Sequence, residues 1–383
     1  MLMSERTVIG WDIGGAHAKA CLLLGGEVLD VAQWPCPLWL GMDRLDAVLQ
    51  AARQRWAGLA AAQHAVTMTG EMVDLFADRE DGVRTIAAAL ARALPAPDSP
   101  RLGAGSGAVH FFAGDAGWCR DAEVPALWNA IASANWLATA RHAALCIGTG
   151  LLVDIGSTTT DLIAFSNGRI LTDSRTDAQR LASGELVYHG VVRTPLCAVA
   201  QRIDWRGTPH NVMNELFATS ADVYRLTGEL NPAHDLHPSA DNAAKDLDAT
   251  RQRLARMIGL DRRDGSTDDW LDFARSWRAL QVGVLGGEMR RVMEAHGLPH
   301  DAVIVSAGCG DFLVRDVVAS AGAGMPEPLP AHRHVAYGRD VARAGAGRAA
   351  VRDWAQVCAP CVAVATLFDM DPSLCGSSRS AAA

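Results

Sequence analysis

Lysine is nearly missing from this chain: of 35 basic residues in 383, only Lys19 and Lys245 are lysines. The Arg and Ala excess reads as coding bias, and it makes a lysine inside a motif worth notice. Long apolar runs are missing too. Nothing approaches the roughly 18 uninterrupted apolar residues that cross a bilayer, and the best candidate, Ala143 to Ile155, is broken by Gly148, Gly150 and Asp154. The opening MLMSERTVIGWD enters a strand-like run without a charged-then-apolar leader, so the expectation is a soluble cytoplasmic protein with no membrane partner. A net charge of -8 gives no reason to expect nucleic acid as a partner. The 9 cysteines are odd in number and scattered, which argues for reduced thiols over a disulfide framework. Neither lysine follows a glycine, so there is no phosphate-binding G-x-x-x-x-G-K-[ST]. G-x-S-x-G and H-E-x-x-H are missing as well, which removes the commonest hydrolase and zinc-protease chemistries. What remains is an ordinary globular composition, 49% hydrophobic and 20% charged, with length for two or three folding units.

The most informative feature present is an internal repeat. Thr7 to Gly15 and Leu151 to Ser157 both run apolar residues into Asp-Ile-Gly. Each copy continues with a second apolar segment (Ala18 to Leu24; Asp161 to Phe165), a dipeptide suited to a two-residue hairpin (Gly25-Gly26; Asn167-Gly168) and a third short segment. The dipeptides stand 13 and 14 residues after the aspartate in both copies, a register that points to a duplicated domain. Helices are expected over Asp43 to Ala62, Gly82 to Leu94 and Trp118 to Ala144, with a proline-rich loop from Pro95 to Pro100. Residues 206–300 read as a helical insertion, with helices at Val212 to Leu226, Asn242 to Gly259 and Thr267 to His296. Strand, Gly-turn and helix return from Ala302 to Ser320, and Gly347 to Ala365 is a last helix. The expected division is a first α/β domain over 1–145, a second with the insertion over 146–345, a C-terminal helix over 346–372 and a disordered tail over 373–383.

The two Asp-Ile-Gly turns are the candidate site. Glycines there let backbone N–H groups approach an anion closely. Gly14 and Gly15 would do so in the first copy. Gly156 would in the second, joined by the hydroxyls of Ser157, Thr158, Thr159 and Thr160. Asp12 and Asp154 suit Mg²⁺ and its waters; Lys19, seven residues past Asp12, could neutralise a phosphate. Gly308 and Gly310 follow an apolar strand and precede a helix, another anion-presenting turn. Glu71 and Asp74 stand at a strand's C-terminal edge or a helix start, and Arg193-Thr194-Pro195 could hold a phosphate or carboxylate or be a surface turn. Phe112 to Gly117 reads as a further Gly turn, Cys358-Ala-Pro-Cys361 as a poor metal site, and the pairs His234/His237 and His332/His334 as solvated loops. Two chemistries fit the residues: phosphoryl transfer from ATP, or a substrate whose polyphosphate is the leaving group.

The paired Asp-x-Gly turns and the late Gly-x-Gly resemble the actin, sugar-kinase and Hsp70 ATPase superfamily, in which two duplicated RNase-H-like domains close on a nucleotide. Asp154-Ile-Gly-Ser-Thr-Thr-Thr-Asp161 is similar to the hydantoinase and oxoprolinase A-subunit group. More narrowly, Trp11 to Ala16, Met68 to Phe76, Val153 to Asp161, Gly190 to Cys197 and Ser306 to Val314 resemble the synthases of methanofuran biosynthesis, of the tetrahydromethanopterin-linked C1-transfer pathway. That resemblance implies a transferase joining an aminomethylfuran-methyl diphosphate to the phenol of γ-glutamyltyramine, or a tyrosine-type acceptor, with release of diphosphate. It implies Mg²⁺ as cofactor and small-molecule diphosphate and phenolic partners, with Lys19 and both turns on the diphosphate and Glu71 or Asp161 as general base. An ATP-dependent kinase or hydantoinase-like ATPase is the alternative, and a non-catalytic nucleotide-binding regulator the second. On this reading the twin turns face one another across a shared metal-bound diphosphate.

Overall fold

A computed structural model describes residues 6–94, 109–299, 301–323, 334–345 and 347–374. The proline-rich loop, His332 and residues 375–383 of the expected tail lie outside them. The chain divides into two compact units, Met1–Gly148 with Ala336–Ala383, and Thr149–Val335.

The first unit is built on a six-stranded sheet ordered β3-β2-β1-β4-β5-β6. Its strands are β1 (Thr7–Ile13), β2 (His17–Leu24), β3 (Glu27–Pro35), β4 (Gln63–Met68), β5 (Val109–Phe112) and β6 (Trp118–Cys119). β1 to β3 form an antiparallel meander, and β4 joins the other side of β1 in parallel. Gly25 and Gly26 both take positive φ (55° and 80°), as the two-residue turn between Leu24 and Glu27 requires. Helices Asp43–Arg55 and Arg79–Ala93 follow the strands, the second capped by the Asp78 side chain accepting from the Asp81 amide.

The Trp118 to Ala144 stretch is not one helix. Trp118–Cys119 pairs with β5, Val124–Ile131 is a short helix with Pro125 in its first turn, and Ser133 at φ 51° breaks it from Asn135–Ile147. Composition concealed this because Ala, Leu and Trp suit either side of such a break. The last helix is likewise two, Ala349–Val357 and Ala359–Met370, parted at Cys358 with Pro360 opening the second. These C-terminal helices belong to the first unit. Ala359–Met370 lies so close to β1 that a Cβ on Gly10 would stand 2.0 Å from the Cys361 carbonyl oxygen. Cys358 and Cys361 are buried there, and burial pushes the Cys361 thiol pKa well up.

The second unit is also built on a six-stranded sheet. β7 (Gly150–Ile155), β8 (Thr160–Ser166) and β9 (Arg169–Ile170) form an antiparallel meander, β10 (Leu186–Val187) pairs the start of β8, and β13 (Val303–Ala307) joins β7 in parallel. Asn167 and Gly168 (φ 51° and 73°) form the hairpin turn. Between β10 and β13 come a hairpin, β11 (Arg202–Trp205) and β12 (Thr208–Asn211), and helices Ser220–Thr227, Leu247–Arg256 and Thr267–Ala295. The expected helix start at Val212 is overruled by that hairpin, whose Arg206-Gly207 turn has positive φ at both residues (53° and 78°). β14 (His334–Ala336) sits beside β13. Trp205 stacks on Trp270 with ring centroids 4.1 Å apart, tying the hairpin to the long helix in one buried core. Among the described residues no helix is long and apolar enough to cross a membrane.

Candidate functional site

Asp12 lies near the end of β1, 4% exposed, directly across from Lys19 on β2, and Lys19 Nζ stands 3.8 Å from its carboxylate. The strands turn between them through Gly14 and Gly15, closed by the Gly14 amide donating to the His17 carbonyl (3.0 Å). The end of β4 adjoins this turn: the Thr69 amide donates to the Ile13 carbonyl (2.9 Å). Glu71, in the 3₁₀ turn Gly70–Met72, points elsewhere. Its Oε1 accepts from the Ser133 hydroxyl (2.7 Å) and from Arg79 (3.3 Å), and burial raises its pKa against both partners. Asp74 is exposed beyond it, and Asp115 is held by Arg141.

The second unit brings more of the expected residues together. Asp154, 8% exposed, closes β7, and the Gly156 amide donates to the Thr159 carbonyl (2.8 Å) to form the turn. Two other turns clasp it. In the first, the Val191 amide donates to the Gly156 carbonyl (3.0 Å), and the Val192 and Arg193 amides donate to the Ser157 carbonyl (3.0 and 2.8 Å). Gly190 makes that approach possible, since a Cβ there would stand 2.4 Å from the Thr158 nitrogen. The clasping loop is itself fixed. Thr160 Oγ1 donates to the His189 carbonyl (2.6 Å), and Gln281 from the long helix donates to the Gly190 carbonyl (2.9 Å) while accepting from Tyr224 (2.8 Å). In the other turn Gly308, at φ 87°, lies against β7: a Cβ would meet the Ile155 carbonyl oxygen at 2.1 Å and Asp154 Oδ1 at 2.5 Å. The Gly310 amide donates to that same carbonyl (2.8 Å).

Ser157, Thr158 and Thr159 are thus partly exposed at the rim of a rigid support, while Thr160 is buried. Arg193 Nη1 reaches Thr158 Oγ1 at 3.4 Å, and burial lowers the pKa of its guanidinium. A half-buried cation beside hydroxyls and a tight glycine turn suits an anion with several oxygens.

Asp161 faces Asp154 across the β7–β8 pair, but its carboxylate is gripped by Arg180, which also binds Asp177 (2.9 Å). Arg180 is 3% exposed. Sequence reading missed this clamp, because the partner sits on helix Asp177–Ser183, where one arginine among many carries no pattern. His237, read as a solvated loop residue, does lie in a loop but is half-buried; burial, with the charges of Arg193 and Lys245 adding to it, pushes its pKa down to about 4. Among the described residues no three His, Cys, Asp or Glu side chains gather as a ready metal cage. Mg²⁺ carried on a diphosphate needs only one or two protein carboxylates, and the edge position of Asp154 beside hydroxyls fits that demand.

Comparison with known proteins places these elements. A curated relative from Methanocaldococcus jannaschii, (4-{4-[2-(gamma-L-glutamylamino)ethyl]phenoxymethyl}furan-2-yl)methanamine synthase, is 27% identical over 81% of this chain and 88% of its own length. The protein of the same name from Methanococcus vannielii is 28% identical over 44% of this chain and 74% of its own. Among solved structures, a ROK family glucokinase from Streptomyces griseus in complex with glucose and AMPPNP aligns over 94% of this chain and 98% of its own at 13% identity, with a TM-score of 0.45. The hydantoinase/oxoprolinase family matches residues 63–345, which span β4 through β14 and every turn of the second-unit site. The chain belongs to the hydantoinase/oxoprolinase family.

Proposed function

We propose that this protein is a transferase that moves an aminomethylfuran-methyl group from its diphosphate to a phenolic oxygen, as in the synthesis of the phenoxymethylfuran ether for which its relatives are named. The observation that carries this reading is the convergence of three glycine turns on the Asp154 edge, with Ser157, Thr158 and Arg193 at the rim. In the reaction the bond between the furan-methyl carbon and the diphosphate oxygen breaks, and its electron pair leaves on diphosphate. The phenol oxygen forms the new carbon–oxygen bond and its proton passes to a base.

A furan-methyl carbon tolerates positive charge, so the step needing help is departure of the diphosphate. The rim hydroxyls, the turn amides and Arg193 would hold its oxygens and stabilise the charge that builds on them. Mg²⁺, held by Asp154 and the diphosphate itself, would supply further charge neutralisation. In the first unit the Asp12–Lys19 pair and the Gly14-Gly15 turn would offer an anion a cradle of the same kind. Glu71 and Asp161 are the two carboxylates proposed for the base. Burial raises the pKa of both, which strengthens a base, whereas Arg180 restrains Asp161.

The test is to incubate the purified protein with Mg²⁺, the furan diphosphate and γ-glutamyltyramine or tyrosine, and separately with Mg²⁺-ATP. Ether detected by mass spectrometry together with released diphosphate supports the reading. ATP turnover without ether overturns it in favour of a kinase or hydantoinase-like ATPase.

A further inference from the structure

The stretch Gly190–Thr194 is a strap bonded along both edges. Its Val191, Val192 and Arg193 amides hold the Gly156–Thr159 turn through the Gly156 and Ser157 carbonyls. Its alternate carbonyls are held by the helices that lie between β10 and β13. The Val192 and Thr194 carbonyls accept from the Ala221 and Ser220 amides at the start of helix Ser220–Thr227 (3.3 and 2.8 Å). The Gly190 carbonyl accepts from Gln281 of helix Thr267–Ala295 (2.9 Å) and from the Thr194 hydroxyl (3.1 Å). A carbonyl can only accept, so the Gln281 amide turns its NH₂ to Gly190 and its Oε1 accepts from the Tyr224 hydroxyl (2.8 Å). Burial pushes the Tyr224 phenol pKa up, so the hydroxyl keeps the proton it donates.

Tyr224 belongs to the apolar core of this unit, and Gln281 stands on the helix that supplies Trp277, Val282 and Leu285 to the same core. Apolar side chains of similar shape would need no partners there, whereas a fully satisfied buried polar pair selects one arrangement of what it holds. The Tyr224 ring reaches the other clasping turn as well. It meets Phe312 edge to face at 5.1 Å, in the 3₁₀ turn Asp311–Leu313 directly after Gly310. The two clasps also touch, since a Cβ on Gly310 would stand 2.8 Å from Val191 Cγ1. One buried tyrosine therefore bears on both turns that grip Gly156–Thr159.

We propose that Tyr224 and Gln281 are positioning residues of the second-unit site: through the Gly190 carbonyl they fix where the Gly156–Thr159 turn, and with it Ser157, Thr158 and Arg193, stands for a polyphosphate. They touch no substrate themselves. This rests on the diphosphate reading above and gives the helices between β10 and β13 a part in it.

Gln281→Met keeps the side chain's size and removes both hydrogen bonds; Tyr224→Phe keeps the ring against Phe312 and removes only the donor. In the full chain, Gln281→Met should lower kcat for diphosphate release about ten-fold or more with KM within about three-fold, and Tyr224→Phe should lower kcat about three-fold. Gln281→Glu supplies a readout that packing alone would not move. Its carboxylate cannot donate to the Gly190 carbonyl, whereas its protonated carboxyl can. As a ratio to wild type, its kcat should match that of Gln281→Met at the alkaline end of a pH series and climb toward the wild-type value at the acid end. Hydrogen exchange at the Val191 to Arg193 amides should quicken about ten-fold in Gln281→Met, a measurement that needs no substrate. Wild-type kcat in Gln281→Met overturns the proposal, as does a Gln281→Glu ratio that stays at the Gln281→Met level throughout. The two readings fail separately. If the wild type makes no ether but binds Mg²⁺ with inorganic pyrophosphate, and Gln281→Met weakens that binding, the transferase reaction falls and this coupling stands. Ether synthesis at the full rate in Gln281→Met removes the coupling and keeps the reaction. A wild type that neither makes ether nor binds pyrophosphate overturns both.

Discussion

Gly190→Ala isolates the support of the second-unit turn from every other property of the site. Gly190 does not adopt the positive φ that would itself exclude alanine, so space alone is at issue. The added Cβ would stand 2.4 Å from the Ser157 carbonyl carbon and the Thr158 nitrogen and 2.6 Å from the Gly156 carbonyl oxygen, where ordinary contact begins at 3.4 Å. All three are backbone atoms, so no side chain can swing aside, and the turn must retreat by about 1 Å. Overpacking of this kind costs about 1–3 kcal/mol, or roughly 2–4 °C of melting temperature per kcal/mol in a unit of this size. A 1 Å displacement of groups that align a reaction costs about 100-fold in rate. The expected variant is therefore folded, several degrees less stable, and about two orders of magnitude slower in releasing diphosphate. Gly287→Ala is the matching control: it lies exposed in helix Thr267–Ala295, a Cβ there meets nothing within 4 Å, and alanine should stabilise the protein by about 0.5–1 kcal/mol. Thermal melts and diphosphate release on the two variants suffice. A Gly190→Ala protein that melts low but works at the wild-type rate would refute the claim that this turn's placement matters to the chemistry.

Other outcomes follow from the same geometry. Asp154→Ala and Lys19→Ala should abolish diphosphate release while leaving far-ultraviolet circular dichroism unchanged; undiminished turnover in either removes that residue from the mechanism. Arg180→Ala should cost about 3–5 kcal/mol in urea unfolding, because it strands the Asp161 carboxylate in the interior; a loss below about 1 kcal/mol would mean the pair is solvated. His64 and His142 are buried and their pKa values are pushed down to about 4 by desolvation, from 6.5. The unfolded chain therefore binds more protons between those values, and stability should fall as pH drops from about 6.5 to about 4, by about 3 kcal/mol for each histidine. Urea midpoints that stay level across that window would contradict the burial of both rings as neutral imidazoles.

The sequence disclosed the parts of this protein whose causes are local. Gly25-Gly26 and Asn167-Gly168 announce their hairpins because only a few dipeptides accept two positive φ angles in a row, and the Asp-Ile-Gly runs announce β1 and β7 by apolar patterning into a glycine turn. Lys19 stood out by its rarity seven residues past Asp12, but the strand register that sets it directly across from Asp12 is visible only in the structure. What stayed hidden is long-range. Nothing beside Gly190 in the sequence says that it will be pressed against Thr158, and nothing about Arg180 says that it will hold Asp161. The Arg206-Gly207 turn was concealed because arginine lies outside the usual turn vocabulary, and the break at Ser133 because alanines flank it on both sides. His237 looked solvated because it stands among polar residues and prolines, whereas it is half-buried in its loop and burial lowers its pKa.

The helix that covers Gly10 is translated long after the strand it covers, which bears on the order of assembly. Residues 149–335 are contiguous and can mature as soon as they leave the ribosome, whereas β1, translated long before, keeps an uncovered apolar flank until Ala359–Met370 emerges. β1 is therefore covered only after the whole second unit has been translated, and the nascent chain carries that apolar flank through the interval. A rearranged gene that places residues 336–374 ahead of residue 6 would make both units continuous and shorten that exposure.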